Sequence, residues 1–236
     1  GEGLRVIGKL GMIYCLVAMF WALFDQTGSA WVLQAKKMDL EFAGITWLPS
    51  QIQAINPIMI MTFIPLFNGF PIGGGKRFIG IYGLLNSVWT LTPLRKIGIG
   101  LFLTVPAFLL PAQIEVWIEA GQQPNIIWQL LCYVIITAAE VFVSITCLEF
   151  SYTQAPKKMK SLVMALFLMS VSLGNLFVAG VNYFIQNDDG TTKLNNTEYY
   201  LFFAGAMAVT ALLFVPLAMW YQEKTYIQDA EEAEPA

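Results

Sequence analysis

Two carboxylates stand where charge is costly. Asp25 closes Phe20-Trp21-Ala22-Leu23-Phe24-Asp25 after a long, nearly unbroken apolar stretch, and Glu140 sits inside Ile135-Ile136-Thr137-Ala138-Ala139-Glu140-Val141-Phe142-Val143. Acids inside apolar spans mark substrate, ion or proton pathways and take a partner nearby. Two in one chain point to a transporter. Trp21 lies four residues before Asp25, on the same helical face, and Gly28 continues that face. At a helical rise of 1.5 Å per residue, Asp25 stands about 22 Å beyond Leu10, toward the outer mouth. Alone there it must either take up a proton or meet a cation, and no Lys or Arg lies at matching depth, so its partner is expected outside this chain. An acid snorkelling at the interface is the alternative, weakened by Trp31, Val32 and Leu33, which still follow.

Glu140 has Thr137 one turn before it and Ser144 one turn after it, a polar stripe on an otherwise apolar helix. The stripe suits an ammonium group, and a desolvated carboxyl there can also carry a proton near neutral pH. The structural alternative is a protonated acid bonded to a neighbouring helix. Asn56, just before Pro57, offers both donors and an acceptor, which fits peptide-like groups as well as an interhelical hydrogen bond. Asn175 and Asn182 carry the same two readings. Glu149, ahead of Ser151-Tyr152-Thr153-Gln154, reads as a capping or loop-ordering residue.

Other chemistry is poorly supplied. The chain has no histidine, so His-based acid/base triads and the usual zinc sites are excluded. Cys15, Cys132 and Cys147 lie in apolar segments without Cys-x-x-Cys spacing and read as small buried hydrophobes. Gly73-Gly74-Gly75-Lys76-Arg77 lacks the Gly-x-x-x-x-Gly-Lys-Ser/Thr pattern of a phosphate loop. No enzyme, cofactor or metal reading survives, and nucleic acid is not an expected partner.

The elements that must position these groups are membrane helices. Of 236 residues 57% are hydrophobic and only 12% charged, with a mean hydropathy of +0.61. Apolar runs reach the roughly 20 residues that cross a bilayer as helix, and a β-barrel shows no such runs. The expected fold is an all-α polytopic bundle with six transmembrane helices, at 9–35, 48–67, 94–113, 125–150, 160–185 and 199–220. Arg5, Lys9, Lys76, Arg77, Arg95, Lys96, Lys157, Lys158, Lys160 and Lys224 then share the side of both termini. Only Lys36, Lys37 and Lys193 fall opposite, so both termini are expected in the cytoplasm, in a plasma or inner membrane. The Lys36-Lys37 pair runs against this pattern. Residues 78–91 are too short to span and read as an interfacial or buried segment within a cytoplasmic loop at about 69–92.

Residues 1–222 are thus expected to form the bundle and 223–236 an acidic, disordered tail, the main source of the net charge of −3. The start at Gly1-Glu2-Gly3 has neither an initiating Met nor a signal-peptide pattern and looks like an internal cut. Asn195-Asn196-Thr197 is a glycosylation sequon in an expected outer loop. Pro57, Pro65, Pro106, Gly174, Gly180 and Pro216 interrupt the spans, as in transporters with discontinuous helices or in ordinary kinked ones.

The chain resembles the proton-dependent oligopeptide transporter (POT/PTR) family of the major facilitator superfamily. The resemblance rests on Phe20-Trp21-Ala22-Leu23-Phe24-Asp25-Gln26, Asn56-Pro57, Leu91-Thr92-Pro93-Leu94-Arg95-Lys96-Ile97-Gly98 and Leu148-Glu149-Phe150-Ser151-Tyr152-Thr153-Gln154-Ala155-Pro156, in the family's order. It covers nearly the whole chain, which looks like the C-terminal six of the family's twelve helices. The resemblance implies two bundles that rock about a central cavity. It assigns Asp25 to an outer gate closed with a basic residue of the absent half, and Trp21 to the cavity wall. It also assigns Asn56 and Ser144 to the peptide and Glu140 to the peptide's amino terminus. Phe167 stands where the family usually has Trp, keeping an aromatic wall without the indole donor.

Three functions follow as expectations. The first is proton-coupled uptake of di- or tripeptides, the proton being the coupling ion, with an N-terminal six-helix bundle supplied from elsewhere. The second is a non-transporting half that acts as a structural or accessory subunit of a larger membrane complex. The third keeps the carrier and changes the cargo to nitrate or another small solute, against which Glu140 argues for an amine.

Overall fold

The structure, a computed structural model, describes residues 2–155 and 157–221; the expected tail at 223–236 lies outside the described residues. Nine α-helices are found among them: α1 (Glu2–Phe24), α2 (Ala30–Ala35), α3 (Ile55–Asn68), α4 (Gly80–Val88), α5 (Pro93–Glu119), α6 (Ile127–Glu140), α7 (Thr146–Gln154), α8 (Lys160–Ile185) and α9 (Asn196–Trp220). Two small hairpins punctuate the loops, β1 (Glu41–Phe42) with β2 (Ile45–Thr46) and β3 (Phe70–Gly73) with β4 (Lys76–Phe78), both antiparallel.

Five helical segments are long and apolar enough to cross a membrane: Leu4–Ala35, Pro93–Glu119, Ile127–Gln154, Lys157–Ile185 and Asn196–Trp220. The sixth expected span, at 48–67, is shorter. Its apolar helix runs from Ile52 to Asn68 and opens with a 3-10 turn at Ile52–Ala54. Leu48, Pro49 and Ser50 lie before it in a turn that follows the β1–β2 hairpin. Residues 78–91 do not span: they hold β4's end and the nine-residue α4, which packs on α3.

Local chemistry explains the boundaries. Thr92 caps α5 by accepting from the Arg95 amide at 3.3 Å, and Pro93 fills the first position, where no amide hydrogen is needed. Asn195 and Glu198 close a capping box at the start of α9, so the sequon asparagine holds a helix end. Pro57 falls in the first turn of α3, where its missing N–H costs no intrahelical bond.

α5 lies at the centre, against α6 and α9, while α1 pairs with α8 and also touches α9 and α5. The main core gathers Leu10, Phe20, Trp31, Leu101, Phe108, Tyr133, Phe203 and Phe214; a smaller cluster joins Phe67, Val141 and Phe142. Gly174 lets α8 lie directly on α1, since a Cβ there would overlap the Ala18 carbonyl and come within 2.8 Å of the Ala22 amide. Around this core, Leu168, Met169, Leu176, Phe184, Leu212, Leu213 and Met219 are exposed. An apolar belt of that extent matches hydrocarbon, and the chain is an integral membrane protein.

Candidate functional site

The first span breaks at its acid. α1 ends at Phe24, a 3-10 turn covers Asp25–Gly28, and Ser29 departs from helical geometry at φ −128°, ψ −84°. The break costs little because the Gln26 side-chain amide donates to the Ala22 carbonyl at 3.0 Å, filling an acceptor the helix would otherwise lose. Asp25 is half-buried on this turn, and its Oδ2 accepts from Asn175 Nδ2 of α8 at 2.7 Å. The sequence leads one to expect a proton or a cation at Asp25. The structure supplies a neutral amide, which satisfies one carboxylate oxygen without cancelling the charge.

Glu140 closes the helical part of α6, and residues Val141–Ile145 then widen into a π-helical turn before α7. Such bulges insert a residue into the helical ladder and recur at functional sites. Gly100 of α5 makes room for the widened turn, because a Cβ there would lie 2.8 Å from Phe142 Cβ and 2.9 Å from the Ala139 carbonyl. Glu140 Oε2 accepts from Asn56 Nδ2 of α3 at 2.9 Å, and the same amide donates to Thr137 Oγ1 at 3.0 Å. Asn56, Thr137 and Glu140, separate in sequence, thus form one polar cluster between α3 and α6. Glu140 Oε1 accepts no hydrogen bond from a described residue and, unlike the buried orphan atoms elsewhere, keeps access to solvent. Ser144 lies inside the π turn, half-buried.

Trp21 and Phe167 meet edge to face, with centroids 6.2 Å apart, and Tyr14 meets the other side of Phe167 at 6.2 Å. Both Trp21 and Phe167 are more than nine-tenths buried, and the Trp21 indole N–H has no acceptor among the described residues. Among the described residues, no hydrogen bond or ring contact joins this aromatic pair to the Asn56–Glu140 cluster. The expected residues therefore fall into three groups: the Asp25 turn, the aromatic pair and the Glu140 cluster.

Sequence reading missed a fourth group, at the end of the bundle away from the N-terminus. The third span was expected to stop at 113, yet α5 continues through Glu119 and carries Glu115, 2% exposed. Its carboxylate accepts from Lys37 Nζ at 3.0 and 3.3 Å and from Gln34 Nε2 at 3.1 Å. Gln34 also donates to the Pro111 carbonyl, and Gln129 of α6 donates to the Trp31 carbonyl at 2.8 Å. Lys37, which opposed the positive-inside pattern, is neutralised in this way. The apolar run on both sides of Glu115 was the available signal. Asn182, given two readings from sequence, borders a cavity beside this network.

A profile of the POT family matches residues 1–199. The chain is 35% identical over 114 residues to Peptide transporter 3 of Caenorhabditis elegans, covering 48% of this chain and 15% of that protein. It is 27% identical to Protein NRT1/PTR FAMILY 8.3 of Arabidopsis thaliana over 94% of this chain and 41% of that one. An auto-inhibited POT family peptide transporter superposes with a TM-score of 0.83 at 32% identity, covering 99% of this chain and 43% of the other. The POT family transporter PepTSo gives 0.81 at 33% identity, covering 92% and 42%. The chain therefore spans less than half the length of these relatives. With a broken first span, a π turn beside an intramembrane glutamate and this match over most of its length, the chain belongs to the POT family.

Proposed function

We propose that the chain forms one bundle of a secondary transporter that takes up di- or tripeptides with protons. The reading is supported above all by Glu140, a carboxylate held on one oxygen by Asn56 while the other stays open and no cation among the described residues neutralises it. A peptide ammonium is the complementary charge for that oxygen. Asn56 orients the carboxylate and can exchange its bond to Thr137 for one to a peptide carbonyl. Ser144 adds a hydroxyl beside it, and Trp21 with Phe167, both buried within this bundle, supplies an aromatic wall once α1 and α8 shift apart. Binding and conformational change do the work, and no covalent bond breaks.

Asp25 serves the outer gate in this reading. Its Oδ1 faces a basic residue of the second bundle while Asn175 steadies Oδ2. Proton movement uses the same carboxylates, since each is more costly charged and unpaired than neutral. The second bundle comes from outside the described residues, and the termini face the cytoplasm.

Glu140→Gln keeps the shape and the Asn56 contact but removes the charge. In the assembled transporter it is expected to abolish uptake of a labelled dipeptide, and normal uptake contradicts the assignment. Competition by unlabelled dipeptide but not by nitrate separates the peptide reading from an anion carrier.

A further inference from the structure

A long groove of about 850 Å³ runs between α5 and α9. Phe102, Phe214, Val215 and Met219 line it, Gly98 leaves its floor open, and Trp89 and Arg95 stand at one end. None of the residues assigned to transport comes from α5 or α9, so the face that a second bundle covers lies elsewhere. This groove opens sideways, toward the apolar belt.

Its mouth is charged. The Arg95 guanidinium lies over the Trp89 ring at 4.4 Å and donates to the Thr90 carbonyl, and no described carboxylate pairs with it. Lys9 reaches the same end, with its ammonium 5.1 Å from the Trp220 ring. Trp89 and Val88 end the amphipathic α4 with exposed side chains, the placement of an interfacial helix. An apolar slot with an unpaired cation and indoles at its mouth matches an acyl chain that ends in a negative head group.

We propose that the α5–α9 groove binds an anionic phospholipid from the leaflet on the side of the chain termini. Its phosphate sits on Arg95 beside Trp89, and one acyl chain lies along Phe102, Phe214 and Met219. Arg95 is free to make this bond because its guanidinium keeps most of its N–H donors after the single bond to Thr90. Zwitterionic lipid fits the slot equally well, so the charge at the mouth sets the preference.

Native mass spectrometry of the full chain in detergent tests this, using phosphatidylglycerol and phosphatidylcholine of matched acyl chains. Phosphatidylglycerol adducts are expected to exceed phosphatidylcholine adducts about fivefold, the effect of one basic residue at a membrane surface. Arg95→Gln is expected to erase that excess, while Ala218→Trp, which fills the slot, lowers uptake of both lipids. Circular dichroism melts of the variants report whether the fold is kept, and a variant that melts early is replaced by Arg95→Lys, expected to keep the preference. Equal uptake of the two lipids by the native chain overturns the proposal, as does an excess that survives Arg95→Gln. It is also overturned if the excess appears only after deletion of residues 222–236, which would make the tail the occupant.

Discussion

Glu115 is buried against Lys37, so what happens when that partner is removed reports how much this network matters. Lys37→Met leaves the carboxylate with Gln34 alone. The expected loss is about 2 kcal/mol, below the roughly 3–5 kcal/mol of a fully buried pair, because the Lys37 side chain is 37% exposed and already partly screened. Lys36, exposed and one residue away, provides the control, and Lys36→Met should leave the thermal midpoint in detergent unchanged. At the Glu140 cluster, Asn56→Ala removes the donor to both Thr137 and Glu140. Peptide affinity should fall roughly tenfold, the worth of about 1.4 kcal/mol for a hydrogen bond to a charged group, measured by competition for uptake. An effect confined to protein yield, with unchanged affinity, counts against Asn56 as a peptide contact.

Elements decide where those residues can act. α1 and α8 approach so closely at Gly174 that the Asp25–Asn175 bond forms just beyond the contact. Gly174→Val should separate the helices and cost about 1–3 kcal/mol, as overpacking does, with loss of the Asp25–Asn175 contact read by cross-linking between the two helices. The loop before β1 is tied to the start of α6 by a different device. Asp39 accepts from the Glu41 amide and from Asn125 Nδ2, and these bonds hold its carboxyl below the usual carboxylate range. Because the folded carboxyl gives up its proton more easily than the unfolded one, the tie contributes at neutral pH. That contribution fades as the pH falls below about 4, where an unconstrained Asp titrates. Amide protection factors at Glu41 should drop on that acid limb, and Asp39→Asn should flatten the change.

At the scale of the whole molecule, the apolar belt requires a bilayer, and the proposed direction across it, taken from the basic loops, is open to test. With Cys15, Cys132 and Cys147 replaced, an impermeant maleimide applied to intact cells should label Asp189→Cys in the α8–α9 hairpin. It should miss Lys76→Cys in the β3–β4 hairpin, both sites being exposed. The reverse pattern would invert the bundle and move Asp25 to the inner mouth. A carrier also needs a second bundle opposite Asp25 and Glu140, whose open oxygens have no cation among the described residues to answer them.

Much of this was legible in the residues themselves. Long apolar runs dictate helices because an unpaired backbone cannot sit in hydrocarbon, and acids such as Asp25 and Glu140 declare themselves there by their cost. Thr92-Pro93 and Asn195 mark helix starts through capping chemistry that is local in the chain. Tertiary structure alone decided the rest. It paired Asn175 with Asp25 and Asn56 with Glu140 across 150 and 84 residues of chain, extended α5 to bury Glu115 against Lys37, and widened the helix after Glu140 into a π turn that Gly100 accommodates. These depend on which helix faces which, and a single strand of sequence carries that information only in the packed whole, where each polar group finds its partner across space and not along the chain.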